Sequence, residues 1–101
     1  MNMNSFARAI DAISEISPEM HLQTAAAFVL IGLNGVCDQK TVERSLGMSN
    51  ACASRSINYW TRTGKKRLDF VKRYPDPDDR RRNLVKLTRK GQALFDRLRA
   101  I

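Results

Sequence analysis

Asp76-Pro77-Asp78-Asp79-Arg80-Arg81-Arg82-Asn83-Leu84-Val85-Lys86-Leu87-Thr88 is the stretch that decides the fold. It opens with turn-forming residues, sets three arginines side by side, and then alternates apolar with polar positions. That alternation predicts a strand with Val85 and Leu87 on one face and Leu84 and Lys86 on the other. Just upstream, Leu68-Asp69-Phe70-Val71-Lys72-Arg73-Tyr74 interleaves β-branched and aromatic residues with polar ones, which predicts the partner strand. Pro75 to Asp79 would join the two as a hairpin tip carrying cationic forks. Such a tip fits a narrow, negatively charged groove, so double-stranded DNA is the expected partner.

Charge is placed to match. The chain has 18 Lys+Arg against 10 Asp+Glu, a net charge of +8. Residues 1–64 hold five basic and five acidic residues, whereas residues 65–101 hold 13 basic and five acidic. The whole excess therefore lies in the C-terminal third, as expected for a polyanion partner rather than a uniformly solvated surface.

Working outward, 101 residues suit one domain with one modest core. Residues 5–17 place Phe6, Ile10, Ile13 and Ile16 at helical spacing, with Ser5 as N-cap and Pro18 as stop. Residues 20–34 are apolar almost all round, which predicts a central, mostly buried helix ended by Gly35. Val36-Cys37 offers a short third strand before Asp38 caps the next helix. Gln39 to Leu46 reads as a short helix and Gly47 as the left-handed residue of a tight turn. Ser49 then caps a helix running to about Thr63, with Ala53, Ile57 and Trp60 inward. Ser49, Asn50, Ala51, Ser54, Arg55 and Asn58 are expected on its front and outer face, where small side chains allow close seating and Arg or Asn can bond base edges. The predicted fold class is mainly α with a small β-hairpin: a winged helix-turn-helix of about five helices and a two- to three-stranded wing. In its layout, 38–64 is the helix-turn-helix, 68–87 the wing, and 5–17 and 88–101 the terminal helices.

From Leu46 onward the chain resembles the multiple-antibiotic-resistance regulator (MarR) family of bacterial transcription factors. Leu46-Gly47-Met48-Ser49 is similar to that family's turn into the recognition helix. Asp76 to Leu98, DPDDRRRNLVKLTRKGQALFDRL, is similar to its wing and the start of its C-terminal helix. The resemblance implies a homodimer acting on a palindromic operator as a transcriptional repressor. It puts Ser49, Asn50, Ala51, Cys52, Ser54 and Arg55 at the front of the recognition helix, and Arg80 and Arg81 at the wing. It also implies that Asp79 or Asp76 braces one of those arginines, either Arg81 or Arg80 being the one inserted in the minor groove. Lys65-Lys66-Arg67-Leu68 departs from the family pattern, and Lys65 and Lys66 become candidate phosphate contacts. In this the chain resembles small MarR-like proteins of phages and mobile elements.

The terminal helices carry apolar stripes, Phe6, Ile10 and Ile13 on one and Leu94, Phe95, Leu98 and Ile101 on the other. Pairing across a two-fold axis would bury them in a homodimer. The resemblance implies longer terminal helices with ligands held between them and the DNA-binding lobe; with only 5–17 and 88–101 available here, a small-molecule effector pocket is not expected. Cys37, Cys52 and the single His21 make no metal-ligand set, and neither metal nor cofactor is expected. Cys52 reads as a small filler, His21 as a surface or capping residue, and Trp60 as a core anchor. A lone histidine and the lack of a phosphate-cradling glycine loop argue against an enzyme. No apolar run approaches the length of a membrane span, so no membrane contact is expected. Two cysteines in a domain of this size do not suggest a disulfide scaffold, so the expected location is a reducing cytoplasm, at the nucleoid. The alternatives to a site-specific regulator are a non-specific architectural DNA-binding protein and a winged-helix adaptor or antirepressor that binds protein.

Overall fold

The computed structural model describes residues 2–101. Five helices and three strands follow one another as α1 (Met3–Ile16), α2 (Leu22–Asn34), β1 (Val36–Asp38), α3 (Gln39–Leu46), α4 (Asn50–Tyr59), β2 (Val71–Pro75), β3 (Asn83–Leu87) and α5 (Arg89–Arg99). The strands form one antiparallel sheet in the order β1-β3-β2. The third strand offered by Val36-Cys37 is therefore present, and it pairs with β3 through Cys37↔Val85.

Most helix starts follow from local chemistry. Asp38, Ser49 and Thr88 each accept a hydrogen bond from a backbone N–H three residues on, satisfying donors that the first helical turn leaves free. Ser5 does not cap α1; Asn2 does, its Oδ1 accepting from the Ser5 N–H at 2.8 Å, so the helix begins about a turn earlier than expected. At the other end of the turn, Gly47 closes α3 with φ of 62°, a conformation that costs a side chain free energy.

Two elements are shorter than their sequence periodicity predicts. The recognition helix stops at Tyr59, not near Thr63, because Trp60 turns inward and Thr61 and Thr63 fold back on Asn58. Gly64 packs against this end so closely that a Cβ would sit 2.4 Å from the Asn58 carbonyl. The first wing strand starts at Val71 instead of Leu68, because Arg67 and Asp69 adopt left-handed backbone (φ 50° and 59°) that no strand accommodates. Between them Leu68 tucks against the core.

The core lies between α2, α4 and the inner face of the sheet. Trp60 is fully buried, its ring 4.6 Å from that of Phe28, and its Nε1 donates to the Thr24 carbonyl at 2.7 Å. Phe70 and Phe95 meet Phe28 edge-on. Side chains of this size each contribute on the order of 1.5–3 kcal/mol by burial. The core-anchor reading of Trp60 thus matches its position. Helix α2, however, is buried on one side only: Thr24, Ala27, Phe28 and Ile31 face inward while Leu22 and Leu33 are 79% and 70% exposed. The expectation of a mostly buried helix therefore holds for one face only; the other borders an open apolar cleft.

Candidate nucleic-acid interface

Helix α4 presents the side chains expected of it. Ala53, Ser56 and Ile57 are buried, while Ser49, Asn50, Ala51, Arg55 and Asn58 are exposed and Ser54 is half-buried. Several of these are already engaged within the protein. Asn50 Nδ2 donates to Glu43 Oε2 at 3.2 Å, and Ser54 accepts from Arg73 through both its carbonyl and its hydroxyl. Asn58 Oδ1 accepts from the hydroxyls of Thr61 and Thr63 and so closes the end of the helix. Arg55 stands exposed on the outer face between them. Cys52 contacts Gln23, its Sγ 3.6 Å from Oε1.

The wing tip is a closed loop. The Asp76 N–H donates to the Arg82 carbonyl at 2.8 Å, and the Arg82 N–H returns to the Asp79 carbonyl at 2.9 Å. Asp76 is buried and also accepts from the Asp78 N–H, an Asx turn that explains the aspartate-rich sequence here. The braced arginine is chiefly the third of the three. Arg82 reaches Asp38 Oδ2 at 2.8 Å and Asp76 Oδ2 at 3.5 Å, whereas Arg81 makes only a 3.4 Å contact with Asp79 and its side chain is 94% exposed. Arg80 is likewise exposed. Asp38 serves twice, capping α3 through Thr41 and holding Arg82 across the sheet. Hydrogen bonds from Thr41 and then Arg82 lower its pKa to about 2.

Wing and helix meet in a polar cleft of about 340 Å³, with Asn50 and Glu43 on one side and Arg81, Arg82 and Arg73 on the other. Candidate residues from α4 and the wing thus share one opening. Lys65 is exposed near the base of the wing, but Lys66 is ion-paired with Glu19 and is not a free cation as its sequence suggested. On the sheet's outer face Lys72 and Lys86 stand opposite one another and flank the Tyr74 ring at 6.0 and 5.2 Å.

Sequence reading missed Arg73, Arg82, Gln39 and Glu43. Arg73 could have been found: it shares strand parity with Val71, so its side chain had to enter the inner face of the sheet. The partner of Arg82 lies 44 residues away and leaves no local trace.

The terminal helices also differ from expectation. Leu94 and Phe95 are buried in the core and are not available to a partner; the Phe95 ring lies over Gly32, where a Cβ would come within 2.3 Å. Met3, Phe6 and Ile10 of α1 remain exposed. Phe6 and Ile10, with Leu22, Leu33 and Leu98, border an apolar cleft of about 500 Å³. The cleft lies between α1, the outer side of α2 and the end of α5. No helix among the described residues is long and apolar enough to cross a membrane.

No protein-family model and no curated protein matches this sequence. Solved structures do match. A probable transcriptional regulator from Pseudomonas aeruginosa superposes with a TM-score of 0.69 at 28% identity, over 96% of this chain and 70% of that one. A mutant of E. coli MarR complexed with operator DNA gives 0.68 at 20% identity, over 95% and 66%. A mutant of S. aureus MepR bound to an oligodeoxyribonucleotide gives 0.75 at 16% identity, over 96% and 67%. This chain spans about two thirds of the length of these regulators, and over that part it shares their fold.

Proposed function

We propose that this chain, a MarR-type winged helix-turn-helix protein by its fold, is a sequence-specific DNA-binding transcriptional regulator, a repressor that acts as a homodimer on an inverted-repeat operator. The observation that carries the reading is the shared polar cleft, which brings Asn50 at the front of α4 and Arg81 of the wing to one side of the molecule. Helix α4 enters the major groove, where Arg55, Asn50, Ala51, Ser54 and Asn58 face base edges and Ser49 lies at the helix start. Arg81 and Arg80, free of strong internal pairing, reach the adjacent minor groove. Lys65, with a smaller share from Lys66, contacts phosphate. About six neutralised phosphates per dimer give a log-log salt slope near −5.

Dimerisation is assigned to the apolar face bordered by α1 and the open side of α2. Met3 at 81% exposure and Leu22 at 79% are large apolar side chains that a monomer leaves in water. A two-fold contact buries the patch twice. Sedimentation at micromolar concentration tests this, and a monomer at all concentrations would remove it.

The decisive experiment selects purified protein against a randomised duplex pool at near-physiological salt. An enriched inverted repeat with half-sites about one helical turn apart is expected. Retention without a motif would instead identify an architectural binder, and no retention a protein adaptor. Placing the selected site across a reporter promoter then reads the sign of regulation, with repression expected.

A further inference from the structure

Alternation along Val71-Lys72-Arg73-Tyr74 places a cation on the inner face of the sheet, level with Val85 and, beyond it, Cys37. The Arg73 guanidinium is half-buried, and burial pulls its pKa below the ordinary value. Among the described residues it forms no ion pair with a carboxylate. Nη1 donates to Gln39 Oε1 at 3.1 Å, and Nη2 to the Ser54 carbonyl at 3.1 Å and to Ser54 Oγ at 3.5 Å. A desolvated charge held only by neutral acceptors is unfavourable against an apolar side chain of similar volume. What the planar fork provides is geometry: one side chain from β2 is bonded to α3 and α4 together.

The chain of bonds continues to the reading face. With Oε1 turned toward Arg73, the Gln39 amide nitrogen donates to Glu43 Oε2, one turn on along α3, at 3.3 Å and to the Asn50 carbonyl at the start of α4 at 3.2 Å. The same Glu43 oxygen accepts from Asn50 Nδ2. Asn50 is thereby held with its nitrogen inward and its Oδ1 outward. A carboxylate beside a DNA-facing helix repels phosphate, so Glu43 opposes affinity while it aims the amide.

We infer that Arg73 is a positioning residue that, through Gln39 and Glu43, fixes Asn50 and Ser54 on α4 and locks that helix to the wing. Base reading by α4 and anchoring by the wing are then energetically coupled. Asn50 so held presents an acceptor, which favours bases offering an exocyclic amino group in the major groove, adenine or cytosine. This inference rests on the DNA-reading function proposed above.

Two measurements test it. In the free protein, the side-chain amide resonances of Asn50 in a 15N-edited NMR spectrum are expected to be dispersed in the wild type. They should collapse toward free-amide positions in Arg73→Gln while the fold, followed by thermal melting, persists. Unchanged Asn50 resonances would overturn the inference without reference to DNA. On the selected operator, Arg55→Ala and Arg81→Ala should be non-additive by at least about threefold in Kd in the wild type and additive in the Arg73→Gln background. Equal coupling in both backgrounds overturns the inference and leaves the regulator intact. A wild-type protein that enriches no motif removes the regulator reading, and the coupling falls with it. Should Arg73→Gln fail to fold, Arg73→Lys retains charge and stem but cannot span the three acceptors, and the same two outcomes apply.

Discussion

The front of α4 and the tip of the wing both offer polar side chains to the same opening, yet they are built in opposite ways. On α4, Asn50, Ser54 and Asn58 are held by Glu43, Arg73 and the threonines that end the helix. At the wing, Asp38 and Asp76 hold Arg82, while Arg81, with one 3.4 Å contact to Asp79, and Arg80 project into solvent. For the base reading proposed for α4, donors and acceptors must be placed to within a fraction of an ångström, so rigidity helps there. For the minor-groove entry proposed for the wing, a groove whose width varies with sequence requires reach, so a firm stem with free ends helps.

The largest expected effect breaks the rigid side. Trp60→Ala removes a fully buried indole and its bond to Thr24 and should cost about 3–5 kcal/mol in urea denaturation. A cost below about 1 kcal/mol would mean that α4 is held by something other than this clamp. Arg55→Ala should leave stability within about 0.5 kcal/mol but cost about 1–3 kcal/mol of operator binding and relax base preference at one position per half-site. An even loss over all sequences would move Arg55 to the class of phosphate contacts.

Asp38→Ala attacks the stem of the wing. Losing the cap of α3 should cost about 1 kcal/mol, and Arg82 loses its closer partner. Because the folded-state pKa of Asp38 is about 2 against an ordinary value of 3.8, its contribution is complete above about pH 4 and lost as pH falls toward 2. Wild type and Asp38→Ala should therefore converge in stability over that window; a constant gap down to pH 2 would refute the bracing role. Smallest in stability and most selective in binding is the lysine pair. Lys65→Ala should flatten the salt slope by about 1, whereas Lys66→Ala, starting from an ion pair with Glu19, should change it less. Equal slopes for the two variants would show that the Glu19 pair opens on DNA.

Much of this architecture is legible without coordinates. Capping by Asp38, Ser49 and Thr88, the left-handed Gly47, the inward Trp60 and the alternation in β3 all reduce to interactions within about four residues of sequence or to strand parity. The resemblance over Asp76 to Leu98 then led to the MarR-type fold. Where the reading failed, a competing interaction lay farther off. Leu94 and Phe95 looked like a free stripe because nothing near them reveals Gly32, the gap on α2 that admits the Phe95 ring. The strand drawn from Leu68 ignored two left-handed residues that neither glycine nor asparagine announced.

The polar lattice shows the same division. Helical spacing put Asn50 and Ser54 on the outer side of α4, and their residue types led to the expectation of base contacts. Their fixation depends on Arg73, 34 residues from Gln39 and 19 from Ser54, and the stem of the wing depends on an arginine 44 residues from its aspartate. Periodicity and caps are short-range, so the chain encodes them wherever it goes. Which distant charge meets which acceptor is settled only when β1, β3 and β2 pair in register over α3 and α4.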